Sequence, residues 1–241
     1  MQASHIFDPV DLPLLRLASR FAGKSHLFDH LVNAVSRLDI FKGIVLMSVF
    51  WYVWAEVSKP SNPNQTAQQT RLVTILIGTV LLGALSRILQ VLLPIHQRPV
   101  LAPLGITFPI TDFNALELNN WNSFPSDHAM FFFAFGVGLL TINRVAGWFA
   151  LIWTIVAIEL PRVYLGIHYP SDVIFGSLFG WLGMKLFLAC PLKRMETLLT
   201  EWHRLYPGLF VAAVFFSTDE VGHLLAELRE LARSIVQVLL H

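Results

Sequence analysis

Residues 72–93 read LVTILIGTVLLGALSRILQVLL, an apolar run with one cation, Arg87, and no acid. At 1.5 Å per residue a helix of this length rises about 33 Å, enough to cross a hydrocarbon core of ~30 Å. Outward from it, four more apolar stretches, at 40–57, 129–142, 145–160 and 171–190, are long enough to cross or nearly cross the same layer. Lys42, Arg87 and Lys185 interrupt these stretches and two of them are short, which is the case for a large soluble helical core instead. The composition argues the other way: 55% of the 241 residues are hydrophobic and 14% charged, where a soluble domain has roughly 45–50% and about 25%. A soluble chain of this size seldom buries helices that are apolar on every face. The expected fold is an all-α polytopic membrane bundle of five to six spans, with the run at 205–217 as the undecided sixth. It divides into N-terminal interfacial helices (1–39), a membrane catalytic domain (40–190) and a C-terminal amphipathic extension (191–241).

The balance of 17 Lys and Arg against 16 Asp and Glu excludes nucleic acid as a partner, since a phosphate backbone is gripped by a basic excess. One cysteine, Cys190, allows neither an internal disulfide nor a cysteine-ligated metal cluster. Residues 1–25 carry no signal peptide pattern, because Pro13 and Arg16 break the only apolar run. Leu27, Leu31, Ala34, Val35 and Leu38 share one helical face beside Arg20, Lys24 and Arg37, which suits a helix lying in the interface or, equally, a plain packing helix. Leu224, Leu228, Leu231, Ile235 and Val238 form a short heptad seam at 224–238 that could pair two subunits or dock on the membrane or the bundle.

Residues 58–70 are a polar connector, whereas the connection 94–128, with five prolines and Trp121, is long enough to carry function. Chemistry-bearing residues gather at four helix ends that an up-and-down bundle places on one face: Arg98, Ser126 with His128, Arg162, and His168 with Asp172. The opposite face holds Lys59, Arg71, Arg144, Lys185, Lys193, Arg194 and Arg204, so the positive-inside rule turns the chemical face away from the cytoplasm, although Arg16, Arg20, Lys24 and Arg37 fall outside with it. Pro125 breaks the chain just before Ser126, Asp127 and His128 open a helix, whose first N–H groups and positive dipole end make an anion site. Arg98 and Arg162 offer planar donor forks that match phosphate oxygens. Four residues separate His168 from Asp172, so the carboxylate can accept from one ring nitrogen and leave the other as a nucleophile, with His128 as proton donor. His96 alone reads as an ordinary polar residue, and Arg87 as a snorkelling cation or a partner for Glu159.

These residues resemble the type 2 phosphatidic acid phosphatase superfamily of membrane lipid phosphatases, which shares its site with vanadium haloperoxidases. The family pattern is Lys, six residues, Arg-Pro; then Pro-Ser-Gly-His; then Ser-Arg, five residues, His, three residues, Asp. This chain has Arg98-Pro99, then Pro125-Ser126-Asp127-His128, then Pro161-Arg162, five residues, His168, three residues, Asp172. It departs at Val91, where the lysine falls and His96 or Arg87 would have to substitute, at Asp127 for glycine and at Pro161 for serine. The resemblance implies that His168 attacks phosphorus to give a phosphohistidine, that His128 protonates the leaving group, that Asp172 orients His168, and that water completes hydrolysis with no metal or cofactor. Arg98, Arg162, Ser126, the Asp127 and His128 amides and His96 would hold the phosphate. The expectation is a bacterial inner-membrane enzyme, open to the periplasm or exterior, acting on a lipid phosphate or diphosphate. Undecaprenyl diphosphate is favoured over phosphatidate or phosphatidylglycerol phosphate, because a carboxylate beside a monoester dianion is repulsive. A phosphotransferase with the same site, or a transporter lined by Arg87, Glu159 and Asp172, are the competing readings.

Overall fold

The structure, a computed structural model, describes residues 7–109 and 122–222; Trp121 and the 224–238 seam lie outside the described residues. The described residues form an all-α bundle. In chain order it comprises α1 (Asp8–Ser19), α2 (His26–Arg37), α3 (Ile40–Val57), α4 (Gln65–Leu92), α5 (Asp127–Leu140), α6 (Arg144–Tyr164), α7 (Pro170–Ala189), α8 (Lys193–Leu205) and α9 (Pro207–Gly222). Four of them, α3, α4, α6 and α7, are long and apolar enough to cross a bilayer. The stretch expected at 129–142 forms the 14-residue α5, about 21 Å at 1.5 Å per residue. Its apolarity has a different cause: α4, α6 and α7 pack around it. Met130, Phe131, Phe132, Phe135 and Leu139 are almost wholly buried, so α5 is apolar on all faces because protein, not lipid, surrounds it.

Small residues set how close α7 comes. A Cβ at Gly176 would meet the Ser126 carbonyl at 2.6 Å, and one at Gly180 would overlap the Met130 carbonyl. This spacing of small residues lets two backbones touch, and it fixes the start of α5 against the start of α7. The run at 205–217 lies in α9 from Pro207 onward, a helix that is apolar and shorter than the four long ones and packs along α3, with the Trp51 indole N–H donating to Thr218 Oγ1 at 3.0 Å.

Two π-helical stretches, Ile40–Ile44 opening α3 and Thr154–Glu159 within α6, pack against each other near the site. Pro161 accounts for the second, since its ring cannot donate and crowds the preceding turn. Such insertions turn side chains out of regular register and recur at functional sites. Here they point Lys42 and Glu159 inward, both buried.

The N-terminal helices differ from each other. α2 exposes Leu27, Leu31 and Leu38 on the expected apolar face. α1 is fixed to the bundle: buried Asp11 accepts from the Ser171 N–H at 2.8 Å and the Ser171 hydroxyl at 2.6 Å, capping α7. Asp11→Ala leaves a buried N–H unpaired, a loss of about 1–3 kcal/mol. The expected result is a lower thermal unfolding midpoint in detergent, and an unchanged midpoint would show that the tie carries no stability.

Candidate active site

Three short segments build the site: 93–101 after α4, 122–126 before α5, and 165–169 between α6 and α7. Asn122 joins the first two. Its Oδ1 accepts from the His96 N–H at 2.9 Å and the Phe124 N–H at 3.1 Å, and its Nδ2 donates to the carbonyls of Leu93 and Pro94. The Ser123 N–H donates to the His96 carbonyl at 2.9 Å, and the Val100 N–H to Gly166 at 2.9 Å. Gly166 turns there at φ 71°, a region open to glycine, with Phe108 packed where a Cβ would stand.

His168 is 1% exposed. Its Nδ1 lies 3.1 Å from the Ser123 carbonyl, which can only accept, so Nδ1 carries the hydrogen and Nε2 keeps its lone pair. Arg98 Nη1 sits 3.2 Å from that Nε2 and donates to the Ile167 carbonyl at 2.9 Å. Burial, and then the neighbouring Arg98 charge, hold His168 below the ordinary imidazole value, so at neutral pH it is uncharged and nucleophilic. Burial lowers Arg98 to about 10, which leaves it a cation at any working pH.

Asp172 is the hub beneath this pair. It accepts from the Ser123 hydroxyl, from the Tyr169 N–H at 2.8 Å as part of a capping box on α7, and from His96 Nδ1 at 3.2 Å. His96 also stacks on Tyr169, with ring centroids 4.4 Å apart. On α5, Ser126 is the N-cap, its Oγ accepting from the Ala129 N–H, while Asp127 pairs with Arg87 and with His128 Nδ1 at 2.9 Å. On α6, Arg162 is buried beside Glu159, and neither Glu159 oxygen has a hydrogen-bond donor among the described residues. Arg98 Nε and Arg162 Nε are likewise buried donors without an acceptor.

His168, Asp172, Arg98, Ser126, Asp127, His128 and Arg162 are thus brought to one end of the bundle, as their helix-end positions predicted, and four details differ. Asp172 is 3.5 Å from His168 Nδ1, beyond a hydrogen bond, because Ser123 intervenes: its carbonyl takes the imidazole N–H and its hydroxyl serves the carboxylate. His96 belongs to the Asp172 network. Arg87 pairs with Asp127, not Glu159, since α4 passes the start of α5. Asp127, expected as a repulsive carboxylate beside the phosphate, takes its counter-charge from Arg87 and a hydrogen bond with His128.

Sequence reading passed over Asn122, Ser123, Gln90 and Lys42. The first two directly precede the Pro125-Ser126-Asp127-His128 run, and a buried polar pair at that place was the available signal. Lys42, salt-bridged to Asp39 at 2.8 Å, interacts electrostatically with Arg162 and Asp127. Its signal was a single cation at the site-facing end of an apolar span. An apolar cavity of about 540 Å³ lies between α1, α6 and α7, and Glu159, Val163 and Pro170 line the part nearest the site.

Residues 96–196 match the PAP2 superfamily. The chain is 30% identical over 169 residues to YbjG of Escherichia coli K12, provisionally named an undecaprenyl-diphosphatase, covering 69% of this chain and 77% of that one. It is 29% identical over 213 residues to the lipid A 1-diphosphate synthase of the same organism, covering 83% of each. In fold it is similar to a transmembrane PAP2-type phosphatidylglycerolphosphate phosphatase from Bacillus subtilis, with a TM-score of 0.52 at 16% identity over 79% of this chain and 88% of the other. On the YbjG match, with the superfamily match across the segment that holds every catalytic candidate, the chain belongs to the PAP2 superfamily.

Proposed function

We propose that this membrane protein is a lipid phosphatase that transfers a phosphoryl group to His168 and then to water. The observation that carries the reading is the pair of buried guanidinium donors, Arg98 Nε and Arg162 Nε, without acceptors among the described residues, close to an imidazole whose Nε2 lone pair faces Arg98 Nη1. Buried, charged and unpaired donors are costly to hold, and an oxyanion with several acceptor oxygens satisfies them together.

In the first half-reaction the His168 Nε2 lone pair forms the N–P bond, the P–O bond to the leaving group breaks, and the departing oxygen takes a proton from His128 Nε2. Arg98 releases Nε2 and turns its donors onto the equatorial oxygens, where Arg162 and the first amides of α5 also converge. Ser123 holds His168 in the reactive tautomer, and Asp172 holds Ser123. In the second half-reaction water gives a proton to His128 and its oxygen to phosphorus, the N–P bond breaks, and inorganic phosphate leaves. The guanidinium groups supply the positive charge, so the proposed chemistry needs no metal.

Arg87 neutralises Asp127, which removes the repulsion expected to disfavour a phosphate monoester. A diphosphate of a polyprenyl lipid remains the favoured substrate on different grounds. Lys42 adds a cation beside Arg162, standing in for the lysine missing at Val91, and the matched YbjG carries an undecaprenyl-diphosphatase name. The lipid's hydrocarbon chain would enter from the bilayer through the apolar cavity, whose walls include Val163 and Pro170, the residues that follow Arg162 and Tyr169. Outside the N-terminal segment, the connections at the far face carry more Lys and Arg than those around the site, which hold Arg98 and Arg162, and this supports a site open to the periplasm or exterior of a bacterial inner membrane.

Phosphotransfer to a second lipid is the alternative, favoured by the match over 83% of each chain to an enzyme named for making lipid A 1-diphosphate. Purified protein given undecaprenyl diphosphate alone is expected to release inorganic phosphate, to keep doing so after EDTA, and to be inhibited by vanadate. Release only when lipid A is added would make it a transferase, and strict Mg²⁺ dependence after chelation would overturn the metal-free mechanism.

A further inference from the structure

Consecutive helical residues point to different faces, so side chains at i and i+1 seldom meet. Asp127 and His128 do: Oδ1 lies 2.9 Å from Nδ1 at the first turn of α5. The other carboxylate oxygen is held by Arg87, Arg87 donates to Gln90 Oε1 at 3.1 Å, and Gln90 Nε2 donates to the Pro125 carbonyl at 2.8 Å. Two residues one turn apart on α4 thus grip both the carboxylate and the backbone that leads into it. A carboxylate can only accept, so His128 Nδ1 carries a hydrogen and Nε2, which has no partner among the described residues, is the nitrogen left for substrate. The phosphatase pattern has glycine where this chain has Asp127, so that pattern contains no counterpart of this pair.

We propose that Asp127 is the positioning residue of the general acid: it fixes the tautomer and direction of His128 by direct contact, where the nucleophile is held through Ser123. This rests on the reading of His128 as the acid. The surrounding charge explains the need. Arg162 from α6 and Lys42 from α3 interact with His128, and Arg87 from α4 stands behind Asp127, with Glu159 beside Arg162 and with His168 and Asp172 across at α7. Burial and then the Arg162 charge hold His128 well below the ordinary imidazole value, so its acid form depends on a local anion, and Asp127 is the carboxylate in contact with it. When the P–O bond breaks, its electron pair goes to the departing oxygen, Nε2 gives that oxygen its proton, and His128 is left neutral with Nδ1–H still donated to Asp127. Water returns the proton to Nε2 in the second half-reaction.

The test is the dependence of kcat/KM on the leaving group, because this ratio reports the steps up to its departure. An alkyl phosphate needs the proton, and a nitrophenyl phosphate carrying a similar chain does not. General acids contribute on the order of 10²–10⁴-fold. Asp127→Asn is therefore expected to slow the alkyl substrate by about 10²-fold while leaving the nitrophenyl substrate within about threefold, and the second figure also shows that the variant is folded. Asp127→Asn combined with His128→Ala is expected to be no slower than His128→Ala alone, since a positioning residue has no effect once its partner is gone. Equal slowing of both substrates by Asp127→Asn, with His128→Ala still selective for the alkyl one, overturns the proposal and leaves the acid assignment standing. Equal slowing by His128→Ala overturns both.

Discussion

His168→Ala is expected to reduce phosphate release by on the order of 10⁴-fold or more, because without its Nε2 no N–P bond forms and only binding and charge stabilisation remain. The comparison that locates the effect is Ser123→Ala. That variant keeps the backbone carbonyl that accepts from His168 Nδ1 and deletes the hydroxyl that donates to Asp172. If the carbonyl sets the tautomer, Ser123→Ala loses far less than His168→Ala, and Asp172→Asn falls between them because Asp172 acts through the loop. The pH profile gives a second check. Protonation of His168 occupies the attacking lone pair, and burial together with Arg98 holds its pKa below the ordinary imidazole value. The acid limb of kcat/KM is therefore expected below the ordinary ~6.5, activity being present above that limb and lost as pH falls through it. Near-normal turnover by His168→Ala would end the phosphohistidine mechanism.

The sequence made the bundle legible because a bilayer demands long apolar helices, and that demand is written in composition and run length. At α5 run length and apolarity did not show what surrounds the helix, since a helix enclosed by protein and one enclosed by lipid have the same all-round apolarity, and only the packing of α4, α6 and α7 separates them. The candidate site residues were legible for a comparable reason: Arg98, Ser126, His128, Arg162, His168 and Asp172 sit at helix ends, and alternating helix directions bring those ends together. Contacts across the bundle were not legible. The pairing of Arg87 with Asp127, the approach of Lys42 and the insertion of Ser123 between His168 and Asp172 depend on the rotation of each helix about its axis. Close glycine contacts and two π-helical stretches set that rotation, and neither leaves a periodic trace.

Arg162 separates activity from stability more sharply than any other residue of the site. Arg98 donates to the Ile167 carbonyl and so holds a loop besides lining the candidate site, whereas Arg162 Nε is buried with no acceptor among the described residues. Its desolvation is a standing cost that only a bound oxyanion offsets, with Glu159 as the neighbouring counter-charge. Replacing Arg162 alone would strand Glu159, so the informative variant is Arg162→Met with Glu159→Gln, which removes both charges and keeps side chains of similar length. Guanidinium groups that stabilise a phosphoryl transition state contribute on the order of 10³–10⁵-fold, and a loss in that range is expected for kcat/KM. The thermal midpoint of the ligand-free protein is expected to stay equal or rise, because a buried pair exchanged for neutral side chains of similar volume is often neutral or stabilising. Arg162→Lys in the wild-type background should recover only part of the activity, since an ammonium keeps the charge without the planar fork. Activity within tenfold of wild type in the double variant would show that Arg162 balances Glu159 and does not touch the phosphoryl group. A large drop in midpoint with activity preserved per folded molecule would assign the pair to the fold alone.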